Sequence, residues 1–248
     1  MKRFALLSLV TLLAVSCFST LANAGIGMQC PPSGGPTCLF YGGDFDVNNP
    51  NANGLANETD AIVGGSPYGA ATYQNFTLSS NSTATGLFSN NLSGLNPSSG
   101  YWEIRTGVSE GNGGTLVASG TGAVTQAATG RSGFGFTEYG DEVDGLSVSL
   151  NGGTMYWMAV VPNDPTNANR SFNSNTFGIN AVGTQTSNLQ FWNSAFFGVN
   201  FTNANNEGVF QTFSSGVQGT VTPEPSSLIM LGTGLVGVAG VVRRRLSR

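Results

Sequence analysis

Few residues in this chain could carry chemistry, and most of them offer only oxygen. Residues 49–60 read Asn49-Pro50-Asn51-Ala52-Asn53-Gly54-Leu55-Ala56-Asn57-Glu58-Thr59-Asp60. Oxygen ligands at positions 1, 3, 5 and 9, glycine at 6 and an acid at 12 form the register of a twelve-residue calcium loop. The candidate ligands are Asn49, Asn51, Asn53, Asn57 and Asp60, with Asp44 and Asp46 just upstream. Asn replaces the usual Asp at the first position and Asp replaces the longer Glu at the last, so such a site would hold calcium weakly, and no other cofactor is expected. The competing reading is an Asn-rich loop held by side-chain-to-backbone bonds. Glu103, Glu138, Asp141, Glu142 and Asp144 could supply a glycosidase pair, but no spacing singles out two of them. They read instead as solvated acids on loops and outer strand faces, and no residue is assigned as catalytic.

What is missing narrows the chemistry further. The chain has no histidine, which excludes Ser-His-Asp and Cys-His arrangements and any His-ligated metal. Of its three cysteines, Cys30 and Cys38 flank a Pro/Gly-rich turn and read as one local disulfide in an oxidising compartment. The paired aromatics Tyr101-Trp102, Tyr156-Trp157 and Phe191-Trp192 could stack on sugars through an outward ring, or could pack across strands.

These groups must be positioned by strands. Trp102, Ile104 and Val108 share one face while Tyr101, Glu103 and Arg105 take the other, Leu146, Val148 and Leu150 alternate with serines, and Met155–Val161 is apolar on both faces. Further short strands are expected at Phe76–Leu78, Leu116–Ala118, Phe134–Phe136, Phe177–Ala181, Leu189–Phe191, Phe197–Phe201 and Val209–Phe213. With 36 glycines and no helical period in the body, the expectation is an all-β, jelly-roll-like β-sandwich over residues 71–213. An irregular Gly/Asn/Pro-rich segment (25–70) precedes it, an Asn-rich loop (163–175) interrupts it, and a spacer (214–222) follows.

Both ends carry targeting features. Met1-Lys2-Arg3, the apolar run Phe4–Val15 and Ala22-Asn23-Ala24 read as a signal peptide (1–24, its apolar part helical) that signal peptidase cuts before Gly25. Competing readings are a retained membrane helix over 4–22 and a lipoprotein acylated at Cys17. Near the other end, Pro223-Glu224-Pro225 precedes an uncharged stretch, 226–242, whose length is at the short end of the roughly 17–25 residues that cross a bilayer as a helix. Arg243, Arg244 and Arg245 follow and would stop translocation on the cytoplasmic side. Between the two ends, three arginines stand against twelve acids when Glu224 is set aside, a formal charge of −9 that repels phosphate backbones and argues against nucleic acid as a partner.

The order of residues 223–248 resembles the PEP-CTERM sorting signal of Gram-negative bacteria. That resemblance implies export across the inner membrane, a precursor anchored there by one transmembrane helix, and processing near Pro223-Glu224-Pro225 by exosortase. It also implies an organism that makes exopolysaccharide. The strand series Tyr101–Arg105, Gly113–Ala118, Leu146–Leu150 and Gly153–Trp157 is similar to the sandwich domains of PEP-CTERM surface proteins. The expected function is that of a non-enzymatic surface or extracellular-matrix protein, associated with exopolysaccharide. A carbohydrate-binding module and, from another class, a glycosidase-like enzyme are the alternatives.

Overall fold

The computed structural model describes Cys30 and residues 38–184, 186–222, 233 and 243–246. Fifteen strands follow one another: β1 (Cys38–Tyr41), β2 (Gly54–Ala56), β3 (Thr59–Asp60), β4 (Ala71–Thr77), β5 (Ser82–Ser93), β6 (Ser99–Thr106), β7 (Thr115–Ala123) and β8 (Thr125–Gly133). The series continues with β9 (Phe136–Leu150), β10 (Met155–Asp164), β11 (Ser171–Thr176), β12 (Phe191–Ser194), β13 (Val199–Asn203), β14 (Thr212–Phe213) and β15 (Ser215–Val221). A 3₁₀ turn, Ala204–Glu207, follows β13. The described body is all-β, as its alternating patterns predict.

Two sheets are formed. In the first, β5 is central: β9 lies along one side, β15 and then β11 along the other, with β8 outside β9 and β1 outside β15. The second runs β13-β12-β4-β10-β6-β7. All pairings between these strands are antiparallel, except that the two-residue β3 runs parallel to the end of β10. The sheets face each other across two apolar clusters. In one, Phe40, Leu87, Val143 and Val217 of the first meet Phe76, Ile104, Met158 and Val160 of the second. In the other, Leu55 of β2 and Phe213 of β14, which pair with β11, meet Trp192 of β12. Met155–Val161 behaves as its two-sided apolarity predicts, lying between β4 and β6. Ile104 faces the intersheet core, while Trp157, Ala159 and Val161 pack in a separate cluster with Tyr73, Phe191 and Phe201.

The expected boundaries need correction. Residues 25–70 are not wholly irregular, because β1, β2 and β3 lie within them. The expected spacer 214–222 is mostly β15, paired with β5 from Ser215↔Ser89 to Val221↔Ser82. Its Gly- and Ser-rich sequence hides this, since Val217 alone is an apolar residue in the core. The Asn-rich loop is largely strand too, with Asn173 and Asn175 buried in β11. Phe134 is no strand residue but the tip of the β8–β9 hairpin, and Phe177–Ala181 forms only isolated bridges. The expected signal peptide lies outside the described residues. So, Thr233 aside, does the 226–242 helix, and no helix among the described residues is long and apolar enough to cross a membrane.

Candidate functional site

Most of the candidate acids are not solvated surface groups. Glu58, Glu103, Glu138 and Asp141 are fully buried, and Glu142 nearly so, leaving only Asp144 of the five glycosidase candidates exposed. Burial of a carboxylate is costly unless it is paired. Each of the three body arginines supplies such a pair. Arg105 grips Glu103, which also accepts from the hydroxyls of Tyr73 and Tyr101. Arg131 reaches Glu138 and, at 2.9 Å, Asp44, while Ser174 and Thr129 complete the bonds of Glu138. Arg170 holds Glu58 at 2.7 Å. Sequence reading missed these pairs because nothing in the spacing of Glu58 and Arg170 marks them as neighbours.

Among the described residues, no arginine pairs with Asp141. It accepts from Asn91 Nδ2 at 2.7 Å and Gln126 Nε2 at 2.8 Å. Burial pushes its carboxyl up to about 7, against the pull of those two amides. Burial also raises Glu142, and the neighbouring Asp144 adds to the rise. A raised folded-state value means that the native protein keeps its proton where the unfolded chain has released it. These groups therefore favour folding most at acid pH, and stability falls as pH climbs from the ordinary carboxylate range near 4 to about 7. Asp164 is shifted downward by hydrogen bonds and acts only at lower pH. Thermal unfolding should thus show a melting temperature that declines between about pH 4.5 and 7.5, and Asp141→Asn should flatten the decline. A melting temperature that rises over that interval would contradict this account.

The residues of the expected calcium loop are spent separately. Asn49 Oδ1 accepts from Asn51 N, and Asn53 caps Gly54 N while donating to Gly208 O. The amide of Asn57 points into the core, donating to Val160 O at 2.8 Å and Asn91 Oδ1 at 3.0 Å and accepting from Thr72 N. Asp60 Oδ1 accepts from Ile62 N and Val63 N. The side chains of Asn49, Asn53, Asn57 and Asp60 are thus each engaged in different bonds. Cys30 and Cys38 are brought together in a disulfide with Cα atoms 5.0 Å apart.

Of the aromatics singled out by sequence, Tyr156, Trp157, Phe191 and Trp192 are buried, and the indole N–H groups of the two tryptophans donate to Leu189 O and Ala56 O. A different set reaches the surface. Phe134, 62% exposed, sits at positive φ (53°) on the β8–β9 hairpin tip beside Gly135 (86°). That backbone region is strained for any residue with a bulky side chain. Phe136 meets Phe172 edge-on at 5.8 Å, the Arg170 guanidinium lies 4.9 Å over Phe172 and 5.8 Å over Phe197, and Phe197 touches Phe196 at 5.0 Å. Phe134, Phe136, Phe172, Leu92, Asn53 and Gly54 line a cavity of about 230 Å³ at one end of this ridge. The run Gly133-Phe134-Gly135-Phe136, an aromatic between two glycines, was the available signal.

The first sheet carries the chain to the sorting region. β15 pairs as far as Val221, and Thr222 N donates to Asn81 O at 2.8 Å. Pro223, Glu224 and Pro225 follow at once but lie outside the described residues, as do Ala22, Ala24 and Gly25, while Arg243, Arg244 and Arg245 fall in an exposed helical stretch, 243–246. The family model of the PEP-CTERM protein-sorting motif matches residues 221–245. The chain carries a PEP-CTERM sorting motif. No curated protein matches it. The PEP-CTERM motif implies export, sorting to the cell surface and processing by exosortase. Its first matched residue, Val221, is also the last residue of β15.

Proposed function

We propose that this is a non-enzymatic surface or matrix protein of a Gram-negative bacterium, held in the inner membrane as a precursor before exosortase acts. Its body is a jelly-roll-like sandwich, a reading supported by a chain that passes repeatedly from one sheet to the other. The PEP-CTERM motif at residues 221–245 carries the functional part of the proposal. The absence of a catalytic role draws support from Glu103, Glu138 and Asp141, buried carboxylates spent on arginine, hydroxyl and amide partners. The aromatic ridge favours a second reading, that the body binds the neutral stretches of an exopolysaccharide. Exposed phenylalanine faces can stack on the apolar faces of sugar rings, and a body of formal charge −9 disfavours polyanions. Retention of the protein on columns of the host's own polysaccharide tests this. Phe134→Ala/Phe197→Ala should lower retention about tenfold with folding unchanged. Equal retention of variant and parent would remove the ridge from consideration.

A further inference from the structure

The rims of the two sheets are not treated alike. An exposed strand edge presents unpaired N–H and C=O groups, and proteins blunt such edges with charge, proline, short strands or covering segments. β13 is five residues long and covered: Glu110 accepts from Asn203 N at 2.7 Å, and Gly111 N donates to Phe201 O. β1 is four residues long, tied by the Cys30–Cys38 disulfide, and bridged along its outer side by Val182. β8 carries Arg131 in its ion pairs with Glu138 and Asp44. β7 has none of these protections. It is nine residues long, and among the described residues its ladder bonds run only to β6. From Gly111 to Gly130 the sequence contains no charged residue and no proline. Leu116 and Val117 stand 46% and 41% exposed on this strand, the rest of which is Thr, Ser, Ala and Gly.

We infer that the β7 rim is a self-association surface, and that its occupant is β7 of a second copy of this chain, added antiparallel across a two-fold axis near Ser119. An antiparallel edge is self-complementary about such an axis, because each strand offers the other the same alternation of donors and acceptors. The small side chains of β7 leave the approach open, and no like charges meet, although each body carries −9 overall. A rim without charge gives a differently charged partner nothing to recognise. One nine-residue edge makes less than a standard stable interface, so the contact is weak in dilute solution and needs the crowding of a surface. In that respect it rests on the export reading above.

The symmetry fixes the test. With the axis at Ser119, Val117 of one copy faces Thr121 of the other. In cells expressing the full chain, Ser119→Cys should give a disulfide-linked dimer on mild oxidation. Thr137→Cys, exposed on β9 away from the rim, should not. Adding Val117→Lys/Thr121→Lys sets lysine against lysine and should cut dimer yield about tenfold, whereas Val117→Lys/Thr121→Glu sets lysine against glutamate and should restore it. Surface protein in which Ser119→Cys cross-links no better than Thr137→Cys, or in which the two-lysine variant dimerises like its parent, overturns the proposal. Cross-linked protein that fractionation finds away from the surface would overturn the export reading instead.

Discussion

Arg131→Met should cost the body about 3–5 kcal/mol, the range for stranding one member of a buried ion pair. Arg131 is the only cation in contact with Glu138 among the described residues, and Glu138 has no exposure at all. Without it the carboxylate keeps only the hydroxyls of Ser174 and Thr129, each a weaker compensation than a guanidinium. The same arginine ties Asp44, just past β1, to the β8–β9 hairpin, so its loss also loosens the N-terminal edge of the sandwich. For a body of this size the loss corresponds to a fall in melting temperature of about 10 °C. Adding Glu138→Leu should recover much of it, because an apolar side chain strands no charge. Denaturant unfolding of the two single variants and the double variant measures the coupling. A cost below about 1 kcal/mol for Arg131→Met would mean that Glu138 is solvated after all.

The pair was invisible in the sequence for the same reason that β5 and β11 were. Strand recognition depends on apolar residues that alternate, as in β6, or run on without a break, as in β10. β5 ends in Ser89-Asn90-Asn91-Leu92-Ser93, and β11 reads Ser171-Phe172-Asn173-Ser174-Asn175-Thr176, which are compositions of a loop. They are buried strands because their amides and hydroxyls satisfy one another: Asn57 with Asn91, Asn90 with Ser214, Asn173 with Ser215. A polar interior of this kind has no periodic signature, since each partner comes from a distant strand. The aromatics illustrate the converse. Trp157 was legible as a strand residue and Trp192 as one of an aromatic pair, yet whether they faced a ligand or the core depended on indole bonds to Leu189 and Ala56 that only the fold creates. The sorting region needed no fold at all. Its order of Pro-Glu-Pro, uncharged stretch and arginines is one-dimensional, and composition alone exposes it.

Glu224→Ala should block processing while leaving the body's melting temperature unchanged. β15 is paired through Val221 and fastened at Thr222, and shortening the Glu224 side chain with loss of its charge removes no described contact. The two flanking prolines fix their φ angles and favour an extended segment, a form suited to an enzyme's groove. With no spacer between β15 and the motif, that enzyme must work beside a folded sheet end built from Asn81 and the turn at Asn151-Gly152, whose Gly152 N donates to Asn81 Oδ1. Replacing Arg243, Arg244 and Arg245 with serine acts differently. It removes the charge that resists transfer, and the short, glycine-rich stretch 226–242 then has little to hold it in place. The first variant should accumulate uncut in the inner membrane; the second should be released from it or lost. Fractionation and blotting against the body separate the two outcomes. If both variants were sorted like the parent, residues 223–245 would be acting as a plain membrane anchor, and processing at Pro223-Glu224-Pro225 would have to be abandoned.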